Sequence, residues 1–247
     1  MDYRFIDRLL NTRNLVDKRI EIIVINQTKQ LDAAKETVAK SIENLVLISS
    51  NDRGISKSRN QALINCSSDI AVICDDDLCF TSNLYESLID AHNTYQEEII
   101  TTKIQTPNGG EYKKYKTLGF LHNKSSALKI SSVEITLKTK AIKNAGIKFN
   151  EKFGLGTNCP SGEENIFMFD ALDAGIKARF LPIFTVIHPP ESSNSILTAQ
   201  KMAHKKILFE KLFPYTHLPI KGFFYFKKYH HFKGLKEKLK ALLNLYI

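Results

Sequence analysis

The sequence predicts an α/β protein in which a mixed β-sheet is flanked by helices and followed by a basic helical extension. Short runs rich in β-branched residues alternate with segments of helical periodicity, which favours a sheet covered by helices. The run from Ile70 to Cys74 is apolar without a break, as expected of a strand buried on both faces. The length is enough for one α/β domain of about 200 residues plus an extension, or for two small domains.

The composition is that of a globular protein with an excess of positive charge. The formal net charge of +9 makes acidic partners plausible, namely phosphates, nucleic acid or an anionic membrane face. The four cysteines fit no zinc-binding spacing, so free thiols are expected. The N-terminus lacks the layout of a signal peptide, and no run reaches the ~18 apolar residues of a membrane-spanning helix. These features predict a cytoplasmic protein.

The first 66 residues predict helices and strands in alternation. The predicted elements are an amphipathic helix over residues 2–15, a strand over Ile20–Ile25 followed by Asn26 and Gln27, a helix over residues 31–43, a strand over Leu45–Ile48, and a helix capped by Ser56 and ending near Cys66. The last helix carries Lys57 and Arg59 in its first turns, where the helix dipole disfavours cations. This placement indicates an anion nearby, with solvated surface charge as the alternative.

Three adjacent carboxylates, Asp75, Asp76 and Asp77, follow the apolar run directly. In parallel or mixed sheets, ligands bind just past the carboxyl ends of the strands. Adjacent carboxylates repel one another, and a divalent cation such as Mg²⁺ or Mn²⁺ would relieve that repulsion. The alternative is a solvated acidic turn in which Asp77 caps the next helix. Strand alternation predicts that Asp76 points away from Asp75 and Asp77.

The middle of the chain continues the alternation and brings two further acidic side chains to a helix start. The predicted elements are a helix from the cluster at residues 81–83 to Tyr95, a strand over residues 98–106, a turn over residues 107–110, a strand over Val133–Leu137, a helix over Lys138–Asn144, a helix beginning at Glu163, and a strand region over Lys177–Ile187 broken by Pro182. Residues 111–131 have no clear pattern. Glu163 and Glu164 suit a general base at the mouth of a cleft, or simple pairing with the helix dipole.

The last part of the chain, residues 201–247, is basic and interleaved with aromatic residues, and Leu235–Leu245 predicts a basic amphipathic helix. This layout is typical of an element that rests on the inner face of a cell membrane. The equally weighted alternative is a helical subdomain that packs its aromatic rings on the core. No nucleic-acid recognition motif is present, so nucleic acid is not an expected partner.

Three motifs in order carry a resemblance to a known family. Gly54–Ala62 leads through the apolar strand to Asp75–Asp77, residues 149–165 hold a Phe-x-x-x-Phe-Gly loop with Glu163 and Glu164, and His188 follows a strand. This order resembles glycosyltransferase family 2, the inverting enzymes with the GT-A fold, a Rossmann-related mixed sheet. The resemblance covers about residues 1–195 and leaves residues 196–247 as the extension. Two departures are Ser58 in place of the usual alanine and Glu164 in place of the usual aspartate.

The resemblance implies transfer of a sugar from a nucleotide-sugar donor to a glycan or lipid-linked glycan acceptor, as in bacterial cell-surface polysaccharide synthesis. It implies a Mn²⁺ or Mg²⁺ ion on Asp75, Asp77 and His188. The implied donor-binding residues are Asn26, Gln27, Arg59, Asp75 and Asp76. Glu164 is implied as the base that deprotonates the acceptor hydroxyl, with Glu163 in support, although the extra methylene leaves open which of the two acts.

One feature of the family is not visible in the sequence. The family opens with a strand that cradles the nucleotide base before the first helix, whereas this chain begins inside or just before that helix. We therefore expect the first strand, which would lie beside the strand that leads to Asp75, to be missing. That expectation motivates a second hypothesis, a catalytically degenerate transferase that serves as a binding or scaffold subunit. A third hypothesis, a nucleotidyltransferase, would require a glycine-rich basic loop near the N-terminus, and none is visible.

Overall fold

The computed structural model describes residues 18–27, 37, 41–189 and 198–246. The strands are β1 Ile22–Asn26, β2 Leu45–Ser49, β3 Ile70–Val72, β4 Cys79–Phe80, β5 Ile99–Gln105, β6 Phe120–Leu121, β7 Ile135–Lys138 and β8 Ala178–Ile187. The helices are α1 Ile55–Asn65, α2 Leu84–Thr94, α3 Lys124–Ala127, α4 Thr139–Asn144, α5 Glu163–Asp173, α6 Ala199–Leu212, α7 His217–Lys228 and α8 Gly234–Tyr246, with 3₁₀ turns at Ser132–Glu134 and Tyr229–His231.

The strands form two sheets within the described residues. β1 and β2 form a parallel pair, and the larger sheet has the order β3-β7-β5-β8-β4, with β6 also paired to β8. In the larger sheet β5 and β8 are parallel, whereas the other pairs are antiparallel. The Glu21 carboxylate accepts hydrogen bonds from Ser67 and Ser68 and so links the start of β1 to the chain that enters β3. The mixed α/β architecture is therefore confirmed.

Several predictions fall on residues outside the described ranges. They are the helix over residues 2–15, most of the helix over residues 31–43, and the missing strand before the first helix. The described end of the second of these helices, residues 41–43, is not helical, so the prediction is wrong there.

The strand that leads to the acidic triplet is shorter and less buried than predicted. β3 ends at Val72, and each of its three residues is half-buried, because within the described residues β3 pairs on one side only, with β7. Asp75 follows two non-strand residues, and Asp76 and Asp77 form a turn. The alternation of a strand therefore does not extend to the three carboxylates.

Two further predictions are corrected by local hydrogen bonding. The N-cap of α1 is Gly54, with no side-chain cap, because the Ser56 hydroxyl instead donates to the Phe153 carbonyl. β8 is not broken at Pro182 but runs through it as a single strand. The register with β5 shifts between Thr101 and Lys103, opposite the proline, because proline cannot donate to the strand ladder and is accommodated at an irregularity.

The buried core contains two apolar clusters that meet at helix α6. The larger cluster lies between the sheet and α5, where the Phe149 and Phe167 rings stack with centroids 4.4 Å apart. Leu208 and Leu212 of α6 belong to this cluster. On another face of α6, Met202 and Phe209 pack in the second cluster with residues of α8. The first helix of the extension is thus held by both clusters.

The aromatic side chains of the C-terminal helices are divided between buried and exposed positions. Phe232 is buried, and Phe224 and Tyr225 pack against the second cluster. Phe223 and Phe226 instead expose 70% and 82% of their surface. Among the described residues no helix is both long and apolar enough to cross a membrane.

Candidate active site

The centre of the site is the guanidinium group of Arg59, which is buried in helix α1. Its Nη1 donates to Glu163 Oε1 at 2.9 Å, and its Nη2 donates to Asp75 Oδ1 at 2.8 Å and to Ser132 Oγ at 2.9 Å. A charged group out of water is stable only when it is paired and hydrogen-bonded. Arg59 therefore joins two carboxylates that lie 88 positions apart in the sequence, since Asp75 and Glu163 both reach it.

Glycines allow the close approach of the loop and helix that carry Glu163. At Gly154 an added Cβ would lie 3.1 Å from the Glu163 carboxyl carbon, and the φ of +97° is itself unfavourable for other residues. At Gly162, directly before α5, an added Cβ would lie 2.7 Å from the Leu208 side chain. The glycine pattern seen in the sequence thus places Glu163 beside both the Phe-Gly loop and helix α6.

Helix α1 also fixes the Phe-Gly loop through its polar side chains. The Asn60 amide donates to the Phe149 carbonyl at 2.9 Å and to Glu151, while its oxygen accepts from the Phe149 backbone N–H. The Ile55 N–H donates to the Leu155 carbonyl. The loop and the carboxylate cluster are therefore held by the same eleven-residue helix.

The side chain of Glu164, the next residue of α5, has a raised pKa. Burial raises the pKa of Glu164 to about 7, and the neighbouring negative charge of Glu163 acts in the same direction. The positive charge of Arg59 opposes this increase. Glu163 Oε2 is buried and has no hydrogen-bond partner among the described residues. The pair therefore includes a carboxyl group that can hold or release a proton near neutral pH.

The predicted metal ligands are brought together only in part. His188 Nε2 lies 3.5 Å from Asp77 Oδ2, whereas Asp75 is bonded to Arg59. The Tyr112 ring meets the His188 ring edge-on at 5.5 Å. The described residues hold no group of three ligand side chains close enough for a metal ion. Imidazole and carboxylate are suitable ligands for Mn²⁺, so Asp77 and His188 fit two positions of such a site.

The predicted donor-binding residues at the end of β1 are held by α1. Gln27 Nε2 donates to the Gly54 carbonyl at 3.0 Å, and Gln27 Oε1 accepts from the Gly54 N–H at 3.3 Å. Asn26 is buried at the end of β1. Asp76 is half-buried in the turn after β3. The end of β1 and the start of α1 are thus adjacent.

A groove of about 500 Å³ lies next to the histidine. Its lining includes Gln105 and Ile187, and the Gln105 carbonyl accepts a hydrogen bond from the His188 N–H at 2.9 Å. None of the carboxylates discussed above lines this groove.

Sequence reasoning missed three contributors to the site. Ser132, which accepts a hydrogen bond from Arg59, lies between the unassigned residues 111–131 and the predicted strand that starts at Val133, and nothing in the sequence around Asn60 indicates that it holds a distant loop. Lys205 belongs to the basic segment of residues 201–247, whose composition singles out no individual lysine. Its spacing from Leu208 and Leu212 places it on the apolar face of a helix, which is the signal that could have identified it.

A family model described as "Glycosyl transferase family 2" matches residues 3–162. A search of curated proteins returned no match.

Solved structures with a similar fold include those of TarS from S. aureus. A crystal structure of TarS 1-349 matches with a TM-score of 0.63 and 14% identity, over 98% of this chain and 76% of that chain. The complex with UDP-GlcNAc gives a TM-score of 0.64 at 15% identity, over 98% and 76% of the two chains. The complex with UDP gives a TM-score of 0.65 at 15% identity, over 97% of this chain and 77% of that chain. At this identity the likeness establishes the fold, the GT-A arrangement expected from the sequence.

Proposed function

Since the chain belongs to glycosyl transferase family 2 and is a glycosyltransferase, we propose that it transfers a sugar from a nucleotide-sugar donor to a hydroxyl group of a glycan or lipid-linked glycan, with inversion at the anomeric carbon. The observation that carries this proposal is the buried guanidinium group of Arg59. It binds Asp75, one of the candidate metal ligands, and Glu163, the neighbour in sequence of the candidate base. The two sets of groups that an in-line displacement requires therefore meet at one side chain.

The donor side of the reaction is assigned to the acidic turn and its surroundings. Asp77 and His188 would hold Mn²⁺ or Mg²⁺ with Asp75 nearby, and the ion, when bound, neutralises the charge on the leaving diphosphate. The nucleotide would bind near Asn26, Gln27, Arg59, Asp75 and Asp76. The TarS complexes with UDP-GlcNAc and UDP support a donor in which the sugar is carried on a nucleoside diphosphate, for a chain of this fold.

The acceptor side is assigned to Glu164. Its carboxylate would take the proton of the acceptor hydroxyl while the acceptor oxygen bonds to the anomeric carbon and the bond to the diphosphate breaks. A base works best when its pKa is near the operating pH, and the pKa of Glu164, raised by burial to about 7, meets that condition. Glu163, held by Arg59, would keep the start of α5 in place.

The proposal is tested with the full chain, a panel of nucleotide sugars and Mn²⁺, by measuring nucleoside diphosphate release and acceptor glycosylation. We expect Glu164→Gln to lower the rate by about 10²–10⁴-fold. Asp173→Asn, at the exposed far end of the same helix, is the matched control and should leave the rate unchanged. Two results would contradict the proposal. One is a donor that binds but is not used for transfer, which would favour the scaffold hypothesis. The other is a transfer rate that is the same in Glu164→Gln as in the unaltered protein.

We also propose that helices α7 and α8 place the enzyme on an anionic membrane surface. Leu235, Leu239 and Leu243 recur every fourth residue of α8 and are each more than half exposed. Lys236 and Lys240 are exposed beside this stripe, and Ala241 and Leu245 on another face are fully buried. An apolar stripe flanked by lysines matches the boundary between acyl chains and anionic headgroups.

Helix α7 lies beside α8 and carries two exposed aromatic side chains, Phe223 and Phe226. The Tyr246 hydroxyl donates to the Leu218 carbonyl, and the Tyr225 hydroxyl donates to the Lys238 carbonyl. These two contacts show that α7 and α8 run antiparallel and side by side.

The membrane proposal is tested by sedimentation with vesicles of phosphatidylglycerol, with phosphatidylcholine vesicles as the neutral comparison. We expect Leu239→Glu to abolish binding to the anionic vesicles. Leu118→Glu, at a leucine that is 78% exposed but outside the extension, should bind as the unaltered protein does. Equal sedimentation of both variants would contradict the proposal. Point variants are preferred to deletion of residues 218–247, because deletion would also remove buried Phe232 and Leu245.

A further inference from the structure

Helix α6, the first helix of the basic extension, lies against the start of the helix that carries the candidate base. The Leu208 side chain approaches so closely to Gly162 that an added Cβ there would lie 2.7 Å from it. Leu208 and Leu212 share the apolar cluster of α5, and the Phe169 and Phe213 rings meet edge-on at 5.3 Å. The position of α6 relative to Glu163 and Glu164 is therefore fixed by packing.

Lys205 lies one turn before Leu208, on the same face of α6, and is half-buried there. Burial lowers the pKa of Lys205, and the negative charges of Glu164 and, to a smaller extent, of Glu163 act in the opposite direction. The charged groups that face Glu164 from the packed elements are Glu163 of α5, Arg59 of α1 and Lys205 of α6. Arg59 is already bonded to Glu163 and Asp75.

From this arrangement we propose that Lys205 is the counter-charge of Glu164 and thereby a positioning residue of the transfer reaction. The inference rests on the proposed role of Glu164 as the base. A base must be ionised to accept the acceptor proton, and a buried carboxylate needs a cation nearby to be ionised. Because Arg59 has two other carboxylates to pair with, the extension supplies this cation. The extension would then be part of the catalytic centre as well as a surface element.

The experiment compares the dependence of kcat/KM on pH for the unaltered protein, Lys205→Met and Lys205→Arg. We expect Lys205→Met to move the acid-side midpoint upward by about one pH unit, because loss of a nearby cation favours the protonated carboxyl group. At pH values below the midpoint, the kcat/KM of Lys205→Met should then be about tenfold lower than that of the unaltered protein. At alkaline pH the two values should be equal. Lys205→Arg should restore the original profile. A uniform loss of activity at all pH values, or an increase only in the acceptor KM, would overturn the proposal.

Helix α6 offers a matched control at Lys211. This exposed lysine faces Asp170 in the middle of α5, away from the site. Lys211→Met removes the same charge from the same helix and should leave the pH profile unchanged. A shift as large as that of Lys205→Met would contradict a specific role for Lys205.

A readout that does not require activity separates this inference from the proposed function. Titration of the Glu164 carboxyl carbon by NMR, assigned with Glu164→Gln, should show the same upward shift in Lys205→Met. If that shift occurs but no donor supports transfer, the counter-charge role stands and the proposed function fails. If transfer occurs but the titration of Glu164 is unaffected, the counter-charge role fails and the proposed function stands.

Discussion

The two halves of the candidate site differ in how far they are built before any ligand arrives. In the first half, the Arg59 and Glu163 side chains expose only 6% and 9% of their surface and are bonded to each other. In the second half, the Asp77 side chain is 55% exposed and lies 3.5 Å from His188. The side of the candidate base is thus held by a buried ion pair between Glu163 and Arg59, whereas the candidate metal ligands Asp77 and His188 remain partly open to solvent.

This difference follows from the cost of burying charge. A carboxylate can be removed from water only if a cation and hydrogen-bond donors replace the water, as the Arg59 guanidinium group does for Glu163. Asp77 lies in a turn, where its side chain is more than half exposed and keeps its solvation. We infer that the base side is preorganised and that the donor side is completed by its ligands. The effects of substitution on the free energy of unfolding should then decrease from the first half to the second.

The largest effect is expected at Arg59. Arg59→Met would leave Glu163 and Asp75 without their shared cation and should lower the free energy of unfolding by about 3–5 kcal/mol. Lys57→Met, on the same helix, removes only a solvent-exposed pair with Asp52 and should change it by about 0.5 kcal/mol or less. Urea denaturation measures both. If Arg59→Met and Lys57→Met had the same free energy of unfolding, the ion pairs of Arg59 would not stabilise the buried half of the site.

An intermediate effect of opposite sign is expected at Glu164. Its pKa in the folded protein, raised to about 7 from an ordinary 4.5, means that folding favours the protonated form. The unaltered protein therefore loses stability as the pH rises from about 4.5 to 7, and the loss is complete above pH 7. Glu164→Gln does not titrate there and should be more stable by about 1–3 kcal/mol at pH 8, with no difference at pH 4. A stability difference that is independent of pH would contradict the raised pKa.

Much of the fold and part of the site follow from local patterns in the sequence. The strands β1, β2, β5 and β7 and the helix α5 were predicted from their apolar periodicity within a few residues. Glu163 at a helix start and His188 after a strand are also where the pattern places them. These features depend on residues that are close in the sequence, and the periodicity of apolar residues reflects such local relations.

The rest depends on contacts between distant parts of the chain. Arg59 was read as a cation near the nucleotide, but its bonds to Asp75 and Glu163 need three segments to meet. The end of β3 at Val72 could not be predicted from an apolar run that continues to Cys74, because it depends on the pairing of β3 with β7, a distant part of the chain. The contact of α6 with α5 likewise depends on tertiary packing.

The smallest effect on stability is expected at Asp77, where the second half of the site is open. Asp77→Asn should change the free energy of unfolding by about 0.5 kcal/mol or less, because the carboxylate is solvated in the folded protein as it is in the unfolded one. We expect Mn²⁺ to raise the Tm of the unaltered protein and the same substitution to abolish that increase, since a ligand stabilises only through its binding site. Asp76→Asn, at the neighbouring position, is the control and should keep the Mn²⁺ effect. A large loss of stability in Asp77→Asn without any ligand would mean that the donor side is also held by its own charges, and the contrast between the two halves would then disappear.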